Sequence, residues 1–106
     1  MYQRILVPVD GSHTSTLGLQ EAIRIALDQR AHLRLISVID ETIVTQNFEG
    51  LINPGDLIDA VKEAGKRAIH NALALVKKHD VRAETATFET VGERVSDIIV
   101  REAKKW

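Results

Sequence analysis

Short apolar runs that stop at an acid, each followed by an amphipathic stretch, constrain this chain more than anything else in it. The first is RILVPVDGS, where an apolar run from Arg4 to Val9 is cut off by Asp10, Gly11 and Ser12. A continuous apolar run this short reads as a strand buried on both faces, the usual condition in parallel sheets. Pro8 stands against that reading, because proline cannot donate to a ladder, but it is tolerable near a strand end. In the next stretch Leu19, Ala22, Ile23, Ala26 and Leu27 recur at helical spacing and predict one apolar stripe. Ser12 or Ser15 can cap that helix, and it should end between Gln29 and Ala31.

The pattern then repeats once, and a further strand–helix unit follows it. HLRLISVID, residues 32–40, predicts a second strand, again closed by an acid, Asp40. Residues 41–56 have no period and carry Gly50, Asn53, Pro54 and Gly55, which predicts a long loop. Residues 57–79 have the strongest helical period, with Ile58, Val61, Gly65, Ala68, Ile69, Ala72, Leu73 and Val76 on one stripe. Residues 82–90, RAETATFET, predict a polar edge strand, and a last helix starts near Val95 and runs to Trp106. The order β-α-β-α-β-α predicts an α/β fold with an open parallel sheet. Strand 1, the most apolar, is expected at its centre, with strands 2 and 3 on one side.

With 106 residues, the chain is expected to form one domain, residues 1–106. The formal net charge of −1 gives no reason to expect nucleic acid as a partner. There is no cysteine, which excludes disulfides and thiolate chemistry. The N-terminus does not read as a leader, and no apolar stretch approaches the roughly 20 residues of a membrane span. The expectation is a cytoplasmic protein with no membrane partner.

Residues that carry chemistry are few. Asp10 ends strand 1 beside the helix start, and reads either as a ligand contact or as a cap of the following turn. Ser12 and Ser15 read as caps before they read as anion ligands. Asp40 and Glu41 are adjacent acids whose side chains diverge, so a loop reading is preferred to a metal or acid–base pair. His13, His32, His70 and His79 fall in four separate elements with no metal-ligand spacing. Trp106 is expected to cover the end of the last helix.

Taken in order, RILVPVDGSHTS, an amphipathic helix, LRLISVIDE, a long loop, a long helix and TFETVGERVSDIIVREAKKW resemble the universal stress protein family over the whole chain. The resemblance implies a Rossmann-like fold of the adenine nucleotide alpha hydrolase type, with helices on both faces of a sheet ordered 3-2-1-4-5. This sequence matches its first three strands, in the order 3-2-1. It lacks the fourth strand and the family's glycine-rich phosphate-binding motif: beyond Gly65 the only glycine is Gly92. The resemblance further implies a stress-response protein that binds ATP or AMP, with Pro8, Val9 and Asp10 lining the adenosine pocket and Val38 meeting the adenine through its backbone. It implies a homo-oligomer, and at most weak ATP hydrolysis rather than a dedicated enzyme. The alternatives are an interaction module that binds no nucleotide, working through a free edge of strand 1, and a fragment of a longer member.

Overall fold

A computed structural model describes residues 3–41 and 53–106. Most of the predicted loop, residues 42–52, and Met1 and Tyr2 lie outside the described residues. Strand β1 (Arg4–Pro8) is followed by helix α1 (His13–Gln29), strand β2 (His32–Asp40), helix α2 (Pro54–Lys77), strand β3 (Ala83–Thr90) and helix α3 (Val95–Lys105). Among the described residues all pairing is parallel and the sheet order is β1-β2-β3: β2 and β3 lie on one side of β1 as expected, but β2 rather than β1 is the central strand, and it carries the fully buried Leu33, Leu35 and Ile36.

Alternation along β2 explains why helices lie on both faces. Leu33 and Leu35 join one apolar cluster with Leu19, Ala22, Ile23 and Ala26 of α1 and Ala72 and Val76 of α2. Ile36 points to the other face and is fully buried without belonging to that cluster, as is Ile98 of α3, which packs on β2. Two consecutive crossovers in one direction put α1 and α2 on one face, and the last helix covers the opposite one.

Pro8 does not disturb the ladder. Ile36 C=O accepts from Val9 N–H at 2.8 Å, one residue beyond the proline. In a parallel strand a residue turns both backbone groups to one neighbour and the next residue turns both to the other. The Pro8 nitrogen therefore faces away from β2, the one orientation in which its missing donor breaks no pairing with β2.

Two residues depart from the sequence pattern. Leu27 was expected in the core stripe and is 47% exposed. Glu102 sits in the apolar stripe of α3 and is 5% exposed.

Candidate functional site

The two strands that meet at the candidate site end at different levels. The β1–β2 ladder stops at the pair Pro8–Ile36, whereas β2 continues to Asp40 beside β3. Ile36 faces β1, so Val38, two residues on, turns its N–H and C=O the same way, to the side where β1 has already left the ladder. The sequence-predicted residues Val9, Asp10 and Val38 thus border one step at the carboxyl end of the sheet, with exposed Pro8 just below it.

Asp10 is held by a ring of short contacts with the start of α1. Its Oδ1 accepts from Ser12 N–H at 2.8 Å, and its own N–H donates to Ser15 Oγ at 3.2 Å. Ser12 is the N-cap: its Oγ accepts from Ser15 N–H at 3.1 Å. Gly11 makes the turn possible, because its φ of +84° lies where a side chain is strained. Hydrogen bonding from Ser12, through its side chain first and its backbone second, holds the Asp10 carboxyl below the ordinary carboxylate range. The group is therefore ionised at neutral pH and offers acceptors only. It is also exposed, so its remaining lone pairs are open to a ligand.

Beside this turn, Val9, Gly11, Ser15, Thr16, Ala68 and Asn71 line a cleft of about 180 Å³ between α1 and α2. That is below the ~300 Å³ typical of small-molecule pockets, so the cleft does not enclose a nucleoside. The open ground is the step above Pro8.

The remaining candidates separate. Glu41 faces Lys62 at 3.6 Å, and Lys62 also meets Glu89 at 3.3 Å. The hydrogen bond it donates to Glu89 is the main reason the Lys62 ammonium is held above its ordinary range. Glu41 is thus a member of an ion-pair bridge from the end of β2 to the end of β3. Sequence reasoning missed Lys62, because on α2 it looks like any solvated lysine and only the strand register brings both acids to it. The four histidines are all exposed in separate places, and among the described residues no three acids or histidines are grouped to hold a metal. Trp106 is half-buried, and its C=O accepts from the Arg4 guanidinium at 2.7 Å.

Comparison with known proteins follows the same outline. The sequence profile of the Universal stress protein family matches residues 1–106. The chain belongs to the universal stress protein family. Universal stress protein YxiE of Bacillus subtilis (strain 168) is 33% identical over 91 residues, covering 80% of this chain and 62% of that protein. The chain therefore spans less than two thirds of that curated relative. A solved universal stress protein family structure from Burkholderia pseudomallei superposes with a TM-score of 0.82 at 30% identity, over 98% of this chain and 74% of that one. Universal stress protein UspA from Lactobacillus plantarum shares the fold, with a TM-score of 0.75 at 23% identity over 98% of this chain and 70% of that one. Among the described residues, no helix of this universal stress protein is long and apolar enough to cross a membrane.

Proposed function

We propose that this universal stress protein binds the adenosine part of ATP or AMP at the step between β1 and β2. One observation carries the reading: the Val38 backbone turns a donor and an acceptor into the space that β1 leaves at Pro8, next to the ionised Asp10. A planar base presents a donor and an acceptor along one edge, and a backbone N–H and C=O pair matches it. A carboxylate that only accepts suits the hydroxyls of a ribose.

The described residues fit the nucleoside better than the phosphates. At the α1 N-terminus, Ser12 N–H is taken by Asp10 and Ser15 N–H by Ser12 Oγ. ATP, AMP and adenosine should consequently bind with similar affinity, within about threefold, which is under 1 kcal/mol. Isothermal titration with the three ligands tests the reading. Saturable heats from all three support it, and no heat at millimolar ligand from a chain shown by circular dichroism to be folded overturns it.

A second reading, an interaction module without nucleotide, is favoured by the Asp10 contacts themselves. A carboxylate already accepting from Ser12 N–H is what a plain turn cap looks like. The titration separates the two readings. Homo-oligomer formation belongs to either, and sedimentation at several concentrations measures it.

A further inference from the structure

At the opposite end of the sheet, the C-terminal end of α1 and residues 80–82, just before β3, line a cleft of about 530 Å³. Its floor includes Ala31, Val81 and Leu27, the helix residue whose side chain the core leaves out. Its rim carries Arg30, His32 and Arg82. Asp80 also lines it, but among the described residues no salt bridge takes up Arg30 or Arg82. Arg24, Arg34, Lys62, Lys66 and Arg101 are paired with acids, whereas Arg67, Lys77, Lys78, Arg94, Lys104 and Lys105 are, like Arg30 and Arg82, in no salt bridge among the described residues; what distinguishes Arg30 and Arg82 is that they line one cleft together.

Arg30 has a second peculiarity. It closes α1 in the left-handed region, with φ 54° and ψ 39°, and is the one non-glycine residue among those described with positive φ. Glycine is the ordinary occupant of this position, because a side chain there is strained. An arginine in that conformation carries a cost that helix termination does not require, and strain of this kind is most often retained where the side chain has a role.

We propose that this cleft docks an acidic peptide segment of a partner protein, with an apolar side chain of the segment seated on Leu27 and flanking carboxylates on Arg30 and Arg82. The chemistry selects this occupant. Arginine forks match carboxylates in pairs of hydrogen bonds, and clusters of them are a recurring reader of acidic motifs. An exposed leucine in the floor adds nothing for a bare phosphate and disfavours a polyphosphate backbone, whereas a peptide offers an apolar side chain between its charges. The adjacent cleft of about 350 Å³ shares His32 and Arg82, but it adds no further open cation, since its Arg4 donates to Trp106 C=O and its Glu84 is paired with Arg34. The surface lies across the molecule from Asp10, so the proposal stands or falls independently of nucleotide binding.

Fluorescence anisotropy with a short labelled peptide of glutamates around a central leucine tests it on the full chain. Saturable binding is expected, weaker as salt is raised. The variant Arg30→Gly should lose affinity about fivefold while its melting temperature holds or rises, because glycine relieves the strained φ. The double variant Arg30→Gln/Arg82→Gln should lose at least tenfold, and replacing the peptide leucine by serine should lose severalfold. Absence of saturation, unchanged affinity in the double variant, equal affinity for the serine peptide, or tighter binding of inorganic triphosphate or oligothymidine would each overturn the proposal.

Discussion

A methyl group built on Gly65 of α2 would stand 3.1 Å from Ser37 Oγ of β2 and 3.5 Å from Ile39 Cδ1. The glycine lets a 24-residue helix lie on the sheet without a ridge at the crossing. Two effects oppose each other on substitution. Alanine gains about 1 kcal/mol of helix propensity over glycine, and the tight contact with a buried hydroxyl takes a similar amount back. Gly65→Ala should therefore leave the urea midpoint almost unchanged. Gly65→Val should destabilise by about 2–3 kcal/mol, since the extra methyl groups have no room against Ser37 and Ile39. In a Ser37→Ala background Gly65→Ala should become stabilising, and a double-mutant cycle reads that coupling.

Ser12 holds two functions at one place, N-cap of α1 and donor to Asp10. Ser12→Ala should cost about 1 kcal/mol and Ser12→Gly only a few tenths, as at other N-caps. Thermal unfolding of the two variants measures the difference.

The Asp10 carboxyl is held below its ordinary range in the folded chain, chiefly by Ser12. A group whose folded pKa is depressed contributes stability that is present above its unfolded value, about 3.9, and is lost as pH falls through the lower folded value. Asp10→Asn keeps an acceptor for Ser12 N–H but removes the titration. The variant should be less stable than the parent near neutral pH and converge with it below about pH 4, so that it loses less stability on acidification. Urea midpoints measured down to that range test the sign. Equal acid loss in both would show that Ser12 does not bias the ionised form.

How much of this was legible in the sequence depended on whether the signal was local. Strand β2 could be bounded at His32 and Asp40 because nine residues alternate or run apolar between turn signals. The long helix was legible from its stripe, although it starts at Pro54, because Asn53 caps it by accepting from Gly55 N–H at 2.8 Å. Asp10, Pro8 and Val9 could be placed at a strand end, and Val38 came from family resemblance. The Lys62 bridge and the Gly65–Ser37 approach were not legible, because each depends on which strand residue lies under which helix turn. Leu27 is not separable from the core stripe for a related reason: its spacing matches the buried members, and only the packing shows that it is 47% exposed.

The exposure of Leu27 has a measurable counterpart in stability. Leu35, at the centre of β2, is fully buried and belongs to the same cluster as α1. Leu35→Ala should cost about 3 kcal/mol, from lost transfer energy and the cavity left behind. Leu27→Ala, at a half-exposed site, should cost under about 1 kcal/mol. Chemical denaturation of the pair checks the contrast; equal losses would mean that Leu27 is covered in solution.

The proposed nucleoside site predicts an asymmetry between its two main residues. Asp10 would act through its side chain, so Asp10→Ala should weaken adenosine binding about tenfold, the loss expected when a charged acceptor is removed from a hydroxyl, about 1.4 kcal/mol. Val38 would act through its backbone, so Val38→Ala should leave affinity within about threefold, or under 1 kcal/mol. The side chain of Val38 is half-buried and its removal should appear in stability instead. Calorimetric titration of both variants with adenosine, alongside their urea midpoints, reads the two effects separately. A tenfold loss in Val38→Ala with no loss in Asp10→Ala would invert the roles and remove the step above Pro8 as the base-binding edge.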